Sequence, residues 1–334
     1  MSPTSKVQRP KSENRLLTLD VGRWTLDLIE MAVYEHTYGR YTGALTPEWS
    51  RFLIIPRHAL RQVFGSKLLV AFYAACFIYP LIAAILIYLH HNASAIAMLK
   101  LNVRELLPID GSFFETFISV QGWLGFLLTV LVGPPLVSRD LANNALPLYL
   151  CRPFTRAEYV LGKMSVVMLL LSSITWVPGL LLFLFQGYLE GAGWIARNWW
   201  IASGICLGSW VWMITLALLS QAVSAWVKWR VIASAALLGI FFIPTVFGGM
   251  INALFLTRWG NLLSIPIMMS HVWDGLFRVF ERKTGEVSFH NDFEHVEIIL
   301  LEPPLWMSWA LLATVCAVCL LLLMRKVRAY EVVK

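Results

Sequence analysis

The residues best equipped for chemistry in this chain are His290, Asp292, Glu294, His295 and Glu297. Imidazoles and carboxylates are the usual ligands of zinc and copper, and the same groups transfer protons. Their spacing fits no standard metal site, so a solvated polar loop is the favoured reading. Cys316-x-x-Cys319 has redox or zinc spacing, but it lies within an apolar run. There, two small sulfur-bearing residues on one helix face read as packing. His90-His91 closes another apolar run without an acidic or cysteine partner nearby in sequence, and His271-x-x-Asp274 is a weak acid–base pair. Gly162-Lys163 lacks the upstream glycine of a phosphate-binding loop, and neither G-x-S-x-G nor H-E-x-x-H occurs. The reading therefore assigns no catalytic residue, cofactor site or metal site to this chain.

What remains is the polar stretch Ser138–Lys163, with Arg139, Arg152, Arg156 and Lys163 in it or at its edge. Thr155 and Glu158 have capping-box spacing, in which each side chain satisfies an orphan backbone N–H at a helix start. Phe154 and Tyr159 stand at the positions of a hydrophobic staple. The pattern predicts a helix from Thr155 that runs without a break into the apolar segment after Lys163. A push on this loop would pass directly into that segment. The plain alternative is an ordinary loop with a well-capped helix after it.

The surrounding elements are set by composition. Of 334 residues, 58% are hydrophobic and only 14% charged, with 15 Trp and 19 Phe. A soluble domain carries roughly 25% charged residues. Uncharged or apolar runs cover Leu68–Leu89, Thr116–Ser138, Met164–Leu189, Asn198–Val227, Val231–Thr257 and Pro303–Met324. Each is long enough for a helix to cross ~30 Å of hydrocarbon, which takes about 20 residues. The predicted fold is an all-α membrane protein with six transmembrane helices. These run over about 67–89, 115–137, 163–187, 199–227, from 231, and 303–324. The second is expected to break at Gly133-Pro134-Pro135, and the third to kink at Pro178-Gly179. Gly204-x-x-x-Gly208 and Ser220-x-x-x-Ser224 on the fourth, and Ala235-x-x-x-Gly239 on the fifth, permit close helix approach.

Lys and Arg placement orients the bundle. With the N-terminus inside, 20 basic residues fall on the inner side and 7 on the outer side. Both termini are thereby expected in the cytoplasm, in the cell's inner (plasma) membrane. The net charge of +7 is mostly this topology signal, and no soluble basic face for nucleic acid is present. Residues 1–47 read as a cytoplasmic tail. Residues 48–66 read as a basic amphipathic elbow helix, with Trp49, Phe52, Leu53, Leu60, Val63 and Phe64 on one arc and Arg51, Arg57, His58 and Arg61 on the next. Pro56 must start, split or kink that helix. Residues 67–328 form the transmembrane domain, with an inner loop 138–163 and an outer loop 258–303, and 329–334 form a short tail. Within the outer loop, Trp259–Trp273 is uncharged, too short to span, and reads as a re-entrant or interfacial hairpin. The predicted span interiors carry no Asp, Glu, Lys or Arg, which argues against an ion-driven carrier. Energy, if used, must come from another protein.

The inner loop resembles that of the membrane subunits of ABC-2-type ABC exporters, half-transporter permeases. The matching residues are Asp140, Leu146, Arg152-Pro153-Phe154-Thr155-Arg156, Tyr159, Gly162 and Lys163, with Asn144 where a glycine is usual and Leu141 where a basic residue is common. The resemblance covers about Glu48–Arg328 and includes the elbow, the six spans and the outer re-entrant element. It implies a coupling site for a cytoplasmic ATPase at Asp140, Arg152, Pro153, Thr155, Arg156, Glu158, Tyr159, Gly162 and Lys163. It also implies a second permease subunit, identical or related, and ATP and Mg held by the ATPase, with no cofactor in this chain. Since the second and fifth helices line the path in such exporters, Gln121, Phe126, Phe241 and Phe242 become candidate path residues for a lipid-like or amphipathic cargo among the membrane lipids. Two alternatives stay open. One is an ABC-type mechanotransmission subunit acting on an outer-side partner protein through the 258–303 region. The other is a membrane-embedded transferase using the His/Asp/Glu cluster.

Overall fold

Helices form wherever the chain is apolar, because a backbone in hydrocarbon must satisfy its own N–H and C=O groups. The computed structural model describes residues 54–92, 108–143, 156–227, 229–279, 287–291, 294–298 and 302–326. The tails 1–47 and 329–334, residues 48–53 of the amphipathic segment, and Arg152, Pro153 and Thr155 lie outside them. The elements are α1 (Ile54–Phe64), α2 (Lys67–Ala75), α3 (Ile78–His91), α4 (Gly111–Ala142), α5 (Arg156–Ile174), α6 (Trp176–Glu190), α7 (Ala192–Trp226) and α8 (Arg230–Phe255). After a 3-10 turn at Trp259–Leu263 come α9 (Ile265–Leu276), β1 (Val287–Asn291), β2 (Glu294–Ile298) and α10 (Leu305–Lys326). Among the described residues, six stretches are long and apolar enough to cross a membrane: Lys67–His91, Gly111–Asp140, Ala157–Glu190, Ala192–Trp226, Arg230–Phe255 and Leu305–Lys326. The chain is thus helical and of multi-pass type, with one antiparallel β-hairpin between α9 and α10.

Prolines decide where these spans bend. The first span breaks at Cys76–Phe77, one turn ahead of Pro80, and the third at Thr175, just ahead of Pro178. Proline lacks the N–H for the carbonyl four residues back and its ring crowds that carbonyl. At Pro80 the freed acceptor is the Cys76 carbonyl, and the Gln121 side-chain amide of α4 donates to it at 3.1 Å. The expected break at Gly133-Pro134-Pro135 is not there: α4 continues to Ala142. The carbonyl that Pro134 leaves without a donor, on Val130, accepts the Ser234 hydroxyl of α8 at 2.9 Å. A partner from another helix thus does the work of the missing N–H.

Helices α4 and α7 form the centre of the bundle. In each, 61% of the membrane-length window is buried, against 22% for the first, fifth and sixth spans. Between the third and fourth spans, the predicted turn 188–198 holds a short helix: Gly191, at φ +104°, ends α6, and residues 192–197 are helical up to a kink at the non-helical Asn198, beyond which α7 continues. Only glycine adopts that φ without strain. Gly204 and Gly208 do admit a close neighbour, but it is α9 rather than a long span. A Cβ on Gly208 would lie 2.8 Å from the Trp273 ring, and one on Gly204 3.3 Å from Phe277. Ile265, Met268, Met269, Val272 and Trp273 of α9 are buried, as are His271 and Asp274 on the same helix. The glycines 248 and 249 belong to α8, and the 3-10 turn folds back onto Gly248. Cys319 is buried, and the Cys316 sulfur meets the Thr215 hydroxyl of α7 at 3.5 Å, so this pair sits in helix packing.

At one end of the bundle, Ile55, Val137, Tyr159, Ala225 and Leu323 pack into one cluster. It gathers α1, the end of α4, the start of α5 and the ends of α7 and α10. We call this the junction end. Pro56 stands in the first turn of α1, where its absent N–H has no partner to lose. The packed stripe of α1 is Ile55, Ala59 and Val63, while Arg57, His58, Arg61 and Phe64 are exposed. At the opposite end, His91 Nε2 meets Glu190 Oε2 at 2.8 Å, tying the first span to the third.

Candidate functional site

The continuation of α4 past its two prolines carries Arg139 and Asp140 to the junction end. Opposite them, Tyr159 and Lys163 stand four residues apart on one face of α5. Asp140 Oδ2 accepts from Lys163 Nζ at 2.9 Å and from the Tyr159 hydroxyl at 2.7 Å. The Lys163 ammonium also lies 5.7 Å from the centre of the Tyr159 ring. Tyr159 is 1% exposed, and the Lys163 and Asp140 side chains are 8% and 15% exposed. A carboxylate and an ammonium this far from water are held by each other and by the phenol. The three residues fasten the end of α4 to the start of α5, on either side of the polar loop. The Tyr159 ring, seated in the junction cluster, extends that attachment to α1, α7 and α10.

Of the other residues expected at the coupling loop, Gly162 is buried and Glu158 half-buried, and Arg156 opens α5. The four candidate path residues occupy different settings. Gln121 is fully buried and bonded to Cys76. Phe126 and Phe241 are also fully buried, stacked on each other across α4 and α8 with ring centres 4.0 Å apart. Phe242 faces outward at 49% exposure, stacked against Trp123 at 6.4 Å.

The hairpin pairs His290 with His295 and Ser288 with Glu297. Asp292 lies outside the described residues. Among the described residues, no group of three or more His, Cys, Asp or Glu is placed to hold a metal ion.

A cavity of about 600 Å³ opens beside the Asp140 interlock, between α1, α2, α4, Lys163 and Arg230. Spacing along the sequence does not signal this cavity, because Arg230 joins Arg139 only through the packing of α8. Only the α4 wall leaves a trace in the sequence. Leu131, Val132, Pro135, Leu136, Arg139, Asp140 and Asn143 form one helical stripe that changes from apolar to charged. No protein-family model matches the chain, and a search of curated proteins finds no match.

Proposed function

We propose that this chain is the permease subunit of an ATP-driven exporter of the ABC-2 type, working in the inner membrane with both termini cytoplasmic. The observation that carries the reading is the Asp140–Tyr159–Lys163 interlock. Three residues from the two ends of the coupling-type loop meet at the junction end. There a load on the loop reaches the second and third spans together. In this reading α1 is the elbow helix, and the 3-10 turn with α9 is the re-entrant element. A cytoplasmic ATPase holds ATP and Mg and presses on the loop, and a second permease subunit completes the pathway. The cargo is lipid-like or amphipathic and moves along the outward face of α4 and α8. Trp123 and Phe242 are the exposed aromatics there, backed by the Phe126–Phe241 stack.

The test is capture of the companion ATPase by the full chain, with Arg156→Glu as the variant. A reversed charge at a docking contact costs about 2 kcal/mol or more, on the order of thirtyfold in affinity. Capture and transport-linked ATP hydrolysis should both fall. If no ATPase associates with the native chain, or if Arg156→Glu leaves the coupling intact, the reading is wrong.

The folded hairpin favours a second version, in which the same ATP-driven movement acts on a partner protein at the outer surface. Deleting 287–298 then abolishes function while the ATPase rate of the complex stays at the native level. Equal loss of both would instead mark the hairpin as part of the fold.

A further inference from the structure

The cavity at the junction end has two chemically different halves. Along α4 its wall runs from Leu131 to Asn143, about 18 Å at 1.5 Å per residue. Leu69, Leu131, Val132 and Leu136 line the apolar half, and His58, Arg139, Lys163 and Arg230 stand in the other. The acid among the described lining residues is Asp140, which is engaged by Lys163 at 2.9 Å and by the Tyr159 hydroxyl at 2.7 Å. Among the described residues Arg139 and Arg230 have no ion pair, so the described lining of the polar half carries a net positive charge. Arg139 stands one residue before the end of the second membrane-length stretch, and Arg230 opens the fifth. Where these stretches cross a membrane, the cavity lies at the level at which hydrocarbon gives way to headgroups.

We propose that this cavity binds an anionic phospholipid of the leaflet on the Arg139 side. The guanidinium groups of Arg139 and Arg230 hold the phosphate, and the first part of an acyl chain lies along the α4 stripe. Guanidinium forks match phosphate oxygens, and basic pockets between membrane helices select anionic headgroups on this basis. A free phosphate accounts for the charged half only. The apolar half and the volume, which falls within the ~300–1,000 Å³ range of small-molecule sites, call for an amphiphile. The bound lipid touches α1, α4 and α8 beside the interlock, where it acts as a wedge of fixed composition between them. This inference is independent of the exporter reading, since it requires no ATPase.

The experiment uses the purified full chain in detergent micelles with added phosphatidylglycerol, phosphatidylcholine or inorganic phosphate. Bound lipid is followed by native mass spectrometry and stability by thermal unfolding. Phosphatidylglycerol should be retained and should raise the unfolding temperature, while phosphatidylcholine and inorganic phosphate should not. Each of Arg139→Gln and Arg230→Gln should weaken phosphatidylglycerol retention about tenfold, the loss of one charge-assisted contact. Arg325→Gln, a cation outside the cavity, should leave it unchanged. Arg230→Gln at the exposed start of α8 serves as the readout if Arg139→Gln fails to fold. Equal retention of the two lipids, unchanged retention in Arg230→Gln, or the same stabilisation by inorganic phosphate would each overturn the proposal.

Discussion

Asp140→Ala is expected to destabilise the protein by about 3–5 kcal/mol, because it leaves the Lys163 ammonium buried without its counter-ion. It also removes the 2.7 Å hydrogen bond from the 1%-exposed Tyr159 hydroxyl, at about 1 kcal/mol within that total. Lys163→Met is the milder half of the pair, since Asp140 keeps the phenol and is the more exposed partner. The double variant Asp140→Leu/Lys163→Met removes both charges together and should regain most of the lost stability, as apolar replacements of buried pairs commonly do. Denaturant unfolding of the four proteins in mild detergent measures the coupling between the two sites. Additive losses would show that the residues do not meet. Under the proposed function, the double variant should fold but transmit poorly, because two apolar side chains have no directional attachment to carry a load from α5 to α4.

The second large effect concerns two adjacent glycines with opposite expected outcomes. Where the 3-10 turn crosses α8, a Cβ on Gly248 would fall onto the Gly260 carbonyl, and one on Gly260 onto the Gly248 carbonyl. Asn252 secures the crossing. Its Oδ1 accepts the Gly260 backbone N–H at 2.8 Å, and its Nδ2 donates to Asn261 Oδ1 at 2.7 Å. Gly248→Ala and Gly260→Val each force two backbones apart and should cost about 3 kcal/mol, with roughly 1 kcal/mol more for each Asn252 bond lost. Among the described residues, Gly249 has nothing within 4 Å of its Cβ position. Gly249→Ala should therefore be neutral or stabilise α8 by up to about 1 kcal/mol, the helix-propensity difference. Thermal unfolding of Gly248→Ala beside Gly249→Ala decides the matter, and equal behaviour of the two would contradict the crossing.

The spans were legible in the sequence because crossing hydrocarbon imposes a length and a composition that few other constraints imitate. The stretch around Pro303–Met324, for example, reappears as α10 with a shift of two residues at either end. The proline effects were only partly legible. Pro178 bends its span as expected, but Pro134 does not. The carbonyls freed by Pro80 and Pro134 each meet a side-chain donor from another helix, Gln121 and Ser234, and only the helix at Pro134 continues unbroken. Spacing along one helix reveals neither the donor nor the outcome. The candidate site was legible as a set of residue types. Asp140, Tyr159 and Lys163 were singled out, whereas Arg230 enters the neighbouring cavity only through the packing of α8.

Hydropathy along the chain thus determined how many helices can cross the membrane, and the Lys/Arg distribution set an expectation for their direction. Tertiary structure alone decided that α4 and α7 occupy the centre, that Phe126 and Phe241 stack on each other, and that Asp140 meets Lys163. Lipid and protein core make the same demand for apolar side chains, so a sequence that is apolar all round does not distinguish an inward face from an outward one. Only the contacts between helices separate the two.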